Sequence, residues 1–234
     1  MDVFTSVYLP PIVLSIELAS VTTIILLLIS LPLAWWLTTC RHSIKSVITA
    51  ITTLPIVLPP SVLGFYLLLL LGNQGALGQM SQSLGLGSLV FSFQGLVIAS
   101  VIYSLPFALQ PVLNAFESID KKMIETAATL GATPLDRFWS IVLPLSKNGI
   151  LSGIVLSFAH TVGEFGVILM IGGSIPGETK TLSIAIYDHV EALEYTQAHI
   201  LSAGMLAFSF IVLLLVYLLN HSSNHHKNRG VFNL

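Results

Sequence analysis

The 234-residue sequence predicts an all-α integral membrane protein of about five transmembrane helices, or six if one apolar run is divided. Three observations carry that reading. Hydrophobic residues make up 54% of the chain and charged residues 9%, with a mean hydropathy of +0.89, more apolar surface than a soluble domain hides in one core. Five apolar runs are each long enough for a hydrocarbon layer that takes about 20 helical residues. All but one of the nine Lys and Arg residues fall on one side of those runs. The net charge of -2 provides no basic footprint, so nucleic acid is not an expected partner. Cys40 is the only cysteine, which excludes an intramolecular disulfide and a thiolate metal cage.

The first run, 12–37, reads as a retained span, because MDVFTSVYLPP carries no Lys or Arg and the apolar stretch outlasts a signal-peptide core. Trp35 and Trp36, followed by Arg41, anchor one end at the interface, and Glu17 near the other end reaches headgroups. The second run, 47–71, contains Pro55, Pro59 and Pro60, each of which removes a backbone donor and disfavours continuous helix. A break there lines a cavity or forms a hinge; the alternative is a kink that only fits neighbouring helices. The third run is 89–112. The fourth, 150–171, carries His160 and Glu164 four residues apart, on one helical face. An intramembrane carboxylate costs about 2.5 to 3.5 kcal/mol on insertion scales and so points inward. As functional groups the two are a gate contact or a proton relay; as packing groups they form a buried His–Glu hydrogen bond, the preferred reading. Two ligands make a poor metal site. Gly149, Gly153 and Ser157 repeat at four-residue intervals as a seam for close helix contact. The fifth run, 200–219, is followed by the tail 221–234, whose His221, His225 and His226 read as part of a solvated, positive end rather than a metal site.

Orientation follows from the basic residues. Arg41 and Lys45, then Lys121, Lys122, Arg137 and Lys147, then Lys227 and Arg229 share one side. Opposite them lie the N-terminus, an uncharged loop at 72–88, and a loop at 172–199 where Lys180 faces Glu178, Asp188, Glu191 and Glu194. Short cytoplasmic loops carry the positive excess, which puts the N-terminus outside, the C-terminus in the cytoplasm and the loop 113–148 in the cytoplasm.

That loop contains ETAATLGATPLDRFWSIVLP at 125–144. Helix formers dominate 117–130, Gly131 interrupts, and Pro134 starts a second short helix. Ala127, Ala128 and Ala132 form a small-residue patch edged by Glu125, Lys121 and Lys122, a knob suited to a partner's groove. An amphipathic helix lying on the membrane surface fits the same residues.

Glu125, Ala127, Gly131, Ile141, Leu143 and Pro144 stand in the spacing E-A-A, three residues, Gly, nine residues, I-x-L-P, and in this the loop resembles the cytoplasmic loop of ABC importer permeases. Thr126 replaces the usual second-position Ala. The resemblance implies one permease domain over 1–234 with the type I ABC importer permease fold, in which the segment from Glu125 through Thr126, Ala127 and Ala128 to Gly131 is a coupling helix seated in an ATPase cleft. It also implies a permease dimer, expected to be a homodimer, in a bacterial inner membrane. Two ATP-binding cassette subunits and an extracytoplasmic binding protein complete the expected assembly. LPIVLPPSVLGFYLLL at 54–69, GEFG at 163–166 and IPGETKT at 175–181 resemble molybdate transport permeases. Sulfate and thiosulfate permeases share segments like GEFG, so sulfate, thiosulfate and tungstate stand as alternative cargoes.

No G-x-x-x-x-G-K-[ST] loop is present, so the chain is expected to bind no cofactor, with ATP and Mg used by the partner; nor is there an H-E-x-x-H or G-x-S-x-G motif. An enzyme is not expected. The candidates for translocation or gating are Pro59, Pro60, His160, Thr161, Gly163, Glu164, Phe165 and Gly166. No cation falls inside a span, so hydroxyls and amides such as Ser104, Gln110, Asn114, Ser157 and Thr161 are expected to solvate a passing oxyanion weakly, leaving specificity to the binding protein. A reading from a different class, a proton-coupled carrier using His160 and Glu164, calls for repeated bundles, and no segment of the chain recurs.

Overall fold

The computed structural model describes residues 8–40 and 42–229, with side chains for 8–40 and 43–218. Arg41, the N-terminal seven residues and 230–234 lie outside the described residues, as do the side chains of His221, His225, His226, Lys227 and Arg229. Every regular element among the described residues is helical.

Helix α1 (Leu9–Thr39) opens on two prolines, where the missing N–H groups would be unpaired in any case, and tolerates Pro32 inside. Helices α2 (His42–Val57) and α3 (Pro60–Leu71) are separate. Pro59 takes φ -56 and ψ 136 because the ring of Pro60 pushes its predecessor out of the helical region. The break expected in the second run is therefore present. Helix α4 (Ala76–Ser83) precedes α5 (Phe93–Glu117), which Ser92 caps by accepting from Gly95 N at 3.2 Å.

Beyond α5 come α6 (Lys121–Thr129), α7 (Pro134–Arg137), a π-helical turn (Phe138–Val142), α8 (Leu143–Leu145) and α9 (Lys147–Gly163). Helix α10 (Gly166–Gly172) follows a two-residue gap, and α11 (Leu182–Glu191) and α12 (Tyr195–Arg229) close the chain. Among the described residues four helical stretches are long and apolar enough to cross a membrane, namely α1, 60–83 (α3 with α4), α5 and 195–218 of α12, or five when 134–145 and 147–163, bent by 72°, count as one span.

Helix α5 is the hub, with α1 and α9 packed along it and α10 beside it. A Cβ at Gly149 would stand 2.3 Å from the Ala115 Cβ, and one at Gly153 would stand 2.9 Å from the Ala108 carbonyl oxygen, so the glycine seam lets α9 lie against the α5 backbone. One core cluster joins Leu37, Leu109, Val112, Leu113, Phe116 and Val142 at one end of the bundle. Another joins Leu67, Leu71, Val90, Ala99, Val167 and Ile171 at the α3–α10 end. Leu206, Phe210, Leu213 and Tyr217 of α12 are exposed, as expected where lipid rather than water is the solvent.

Several expectations change. The fourth run is not one helix over 150–171 but α9 and α10 with Glu164 and Phe165 between them. The stretch 117–130 is interrupted at 118–120, where the Asp120 carboxylate accepts from Lys122 N at 3.0 Å and starts a new helix. The loops 72–88 and 172–199 contain α4 and α11, of 8 and 10 residues, each too short by itself to cross a membrane. Helix α12 continues to Arg229 through most of what the sequence reads as a tail.

Candidate functional site

The elbow formed by α6, Gly131 and α7 is fixed by its own caps. Ala132 N donates to Ala127 O and Gly131 N to Ala128 O, each at 3.0 Å, the bond pair that ends a helix on a left-handed residue. Gly131 is that residue, with φ +87. Thr133 then accepts from Asp136 N at 3.2 Å while the Asp136 carboxylate accepts from Thr133 N at 3.1 Å, a capping box with Pro134 in the first helical position. Neither α6 nor α7 buries any residue.

Glu125, Thr126, Ala128, Gly131 and Pro144 are exposed, whereas Ala127, Ala132, Ile141 and Leu143 are half-buried, so the expected alanine patch splits between the surface and the elbow's inner side. Leu130, 82% exposed, and Leu135, 69% exposed, stand at the tip. The Thr126 hydroxyl, where the pattern has Ala, is absorbed by the Lys122 carbonyl at 2.7 Å. Phe138, against Trp35 and Phe116, and the fully buried Val142 root the elbow in the bundle. From that root the chain turns 72° into α9.

The far end of α9 meets the other helix break. A Cβ at Gly166 would stand 2.8 Å from the Pro60 Cβ, and one at Gly64 would stand 2.8 Å from the Met170 sulfur, so a side chain of each of α3 and α10 packs onto a glycine of the other just beyond the two gaps. Gly163 itself is less crowded, with Met205 at 3.8 Å.

His160 and Glu164 do not share a helical face. The helix ends at Gly163, and Glu164 is extended at φ -67, ψ 136. The expected His–Glu hydrogen bond is absent: His160 Nδ1 pairs with Ser104 Oγ at 2.9 Å, Ser104 Oγ contacts Thr161 Oγ1 at 3.0 Å, and Phe107 stacks on the imidazole at 3.8 Å. Glu164 is 4% exposed, and neither carboxylate oxygen has a partner; Ser100, close by, also lacks one of good geometry. Its backbone carbonyl accepts from Ser183 Oγ of α11. Tyr103, Phe107 and Ser183 join this cluster without any motif to mark them, because they come from elements whose adjacency only the fold sets.

The polar residues expected to solvate cargo separate into two groups. Ser157 donates to Gly153 O at 2.7 Å within its own helix, while Ser104 and Thr161 are engaged around His160. Gln110 and Asn114 instead line an open groove of 470 Å³ between α5 and α9, together with Ser118, Ser146, Asn148 and Ser152. No motif singles out Ser118, Ser146, Asn148 or Ser152 in the sequence, although Asn148 and Ser152 have the four-residue spacing of one helix face.

At the other end of the bundle, the 175–181 loop is pinned by buried Thr179, which donates to Gly172 O at 2.6 Å and accepts from Ile175 N at 3.1 Å. Lys180 pairs with Asp188 at 2.6 Å, and Ser174 donates to the same carboxylate at 2.7 Å. Partial burial pushes the Asp188 carboxyl up, but hydrogen bonds from Lys180 and Ser174 and the nearby positive charge outweigh it and hold Asp188 below its ordinary value.

Residues 27–227 match the family model described as "Binding-protein-dependent transport system inner membrane component". The molybdenum transport system permease protein ModB of Azotobacter vinelandii is 55% identical over 87% of this chain and 90% of its own length. ModB of Haemophilus influenzae is 37% identical over 88% and 91%, and the sulfate transport system permease protein CysT of Synechocystis is 31% identical over 83% and 68%. Among solved structures, a bacterial ABC transporter that imports the acidic polysaccharide alginate superposes with a TM-score of 0.69 at 19% identity, covering 97% of this chain and 81% of that one. The same kind of transporter in complex with an alginate pentasaccharide-bound periplasmic protein gives 0.70 at 18% identity over 94% and 79%. At that identity the likeness is one of fold.

Proposed function

This chain belongs to the family of binding-protein-dependent transport system inner membrane components, and from that premise we propose that it is the membrane-spanning subunit of an ATP-driven importer of molybdate. The cargo follows from the likeness to relatives named as molybdenum permeases over nearly the whole chain. The observation that carries the mechanism is the exposed, self-capped elbow of α6, Gly131 and α7, rooted at the bend into α9. Such a surface serves a partner, and the chain has no phosphate-binding loop of its own. Two copies of the permease pair, each elbow seats in one ATP-binding cassette subunit, and those subunits use ATP and Mg. An extracytoplasmic binding protein delivers the oxyanion. Glu125, Thr126, Ala127, Ala128 and Gly131 make the contact, while Ile141, Leu143 and Pro144 connect it to the spans. Closure of the ATPase pair moves α9, and the joined breaks at Pro59, Pro60 and Glu164 to Gly166 let the segments beyond respond. The N-terminus faces outward and the elbow inward.

The test is uptake by proteoliposomes. The permease with its ATPase subunits and loaded binding protein accumulates molybdate when ATP is supplied. The permease alone, under a proton gradient, accumulates none; uptake in that arm would replace the reading with a secondary carrier acting through His160 and Glu164. The likeness to sulfate permeases makes sulfate the comparison cargo.

A further inference from the structure

We propose that the groove between α5 and α9 is an exit site for a tetrahedral oxyanion, where cargo rests on uncharged donors after passing the helix breaks and before release. This rests on the transport reading above. Gln110 and Asn114 stand four residues apart on one face of α5 with Ser118 at its C-cap four residues on, and Asn148 and Ser152 have the same spacing on the facing side of α9. Gln110, Asn114 and Asn148 bring amide donors, while the Ser118 hydroxyl already donates to Ala115 O at 2.8 Å, and neither a carboxylate nor a cation lines the groove. Its volume of 470 Å³ is large against the ~30 Å³ that one water takes in the liquid, so a dianion fits with part of its hydration shell.

Helix α9 begins in this groove. Ser146, Asn148 and Gly149 all line it, and the 72° bend at Ser146 starts a fresh helix there, whose first N–H groups have no helical acceptor. A serine in that position ordinarily accepts from the first turn. Ser146 does not: its side chain makes no cap bond, and its hydroxyl is without a partner although the residue is only 2% exposed. The N-terminal N–H groups and an unused hydroxyl thus meet the amides of Asn148, Asn114 and Gln110 in one place. The helix dipole adds positive potential without a fixed cation. Glu117, the carboxylate nearest in sequence on α5, is paired with Lys45. Neutral donors of this kind hold a dianion briefly and let it go, which a buried Lys or Arg would not. They also recognise tetrahedral shape and charge rather than the central atom, so molybdate, tungstate and sulfate are all accepted here.

Two measurements on the full complex of permease, ATPase subunits and binding protein test the assignment. In proteoliposomes, Asn148→Asp and Asn114→Asp each place a carboxylate against the dianion and lower molybdate uptake at least about tenfold, the lower end of what one like-charge contact costs between bulk water and a protein surface. ATP hydrolysis stimulated by the loaded binding protein persists. In a Cys40→Ser background, Ser118→Cys is labelled by an anionic thiosulfonate, and molybdate on the elbow side slows that labelling severalfold. Uptake near the unsubstituted level in both Asp variants, or labelling indifferent to molybdate, tungstate and sulfate alike, overturns the exit site. Protection by these oxyanions in a complex that imports no molybdate leaves the exit site standing and overturns the proposed cargo.

Discussion

Gly131 and Gly149 lie eighteen positions apart in the chain and constrain substitution for opposite reasons. Around Gly131 a Cβ would find nothing within 4 Å, but φ is +87, so only backbone conformation resists a side chain, by about 1 to 2 kcal/mol for an ordinary residue. Gly131→Val is therefore expected to insert and fold normally while co-purifying with less ATPase subunit and uncoupling hydrolysis from uptake; transport at the unsubstituted rate would count against the elbow. At Gly149 the backbone is ordinary helix and space is the limit, with the Ala115 Cβ at 2.3 Å and the Pro111 carbonyl oxygen at 2.8 Å from a built Cβ. Gly149→Val must force α9 off α5, an overpacking cost of about 1 to 3 kcal/mol, read as a lower melting temperature of the detergent-solubilised protein. Both glycines stood out in the sequence, one in a loop pattern and one in a small-residue repeat. What no pattern indicated was the partner surface, because Pro111 and Ala115 face Gly149 only once two separate helices are side by side. The same reason hid Phe107, Tyr103 and Ser183 from the His160 and Glu164 cluster. The four-residue spacing of His160 and Glu164 predicts one helical face, but the helix ends at Gly163, between them.

At the scale of elements, the two interruptions differ in how visible they were. Pro59 and Pro60 announce a break chemically, by the donors they lack and the predecessor they push out of the helical region. Glu164 and Phe165 carry no such mark, and an apolar run continuing to 171 concealed the gap. The short helices α4 and α11 escaped because they are read from tertiary context rather than from membrane length. Helix α11 holds Asp188, and the 174–188 clip formed with Ser174 and Lys180 should depend on pH. Asp188 is held below its ordinary value in the folded chain, so the clip contributes fully above the ordinary carboxylate value of about 3.9 and is lost as pH falls through the depressed one. With both partners partly exposed, the contribution is at most about 1 kcal/mol. Limited proteolysis of 173–181 by an acid-active protease should quicken below about pH 4. Asp188→Asn should already show quicker cleavage at neutral pH and lose most of that acid dependence; a loop equally protected in both proteins at every pH would remove the clip from the account.

Across the whole molecule, contacts between distant segments fix which ends share a side. Lys45 at the start of α2 pairs with Glu117 at the end of α5, and Ser15 near the start of α1 accepts from Leu182 N at the start of α11 at 2.8 Å. The first contact brings together the chain leaving α1, the chain leaving α5 and the elbow. The second brings together the beginning of α1 and the segment before α12. A chain that crosses by α1, returns by α2 and α3, crosses by α5, returns by α9 and α10, and crosses again by α12 satisfies both contacts with five passages. It also collects Lys45, Lys121, Lys122, Arg137 and Lys147 at the elbow end, with Lys180 at the other. Short loops rich in Lys and Arg stay in the cytoplasm, so a fluorescent protein that folds only there should be bright when fused after residue 229, while alkaline phosphatase inserted between 73 and 75 should be active. The reverse pattern would place the elbow outside, beyond reach of ATP, and with it would fall the coupling of α6 and α7 to any nucleotide-driven partner.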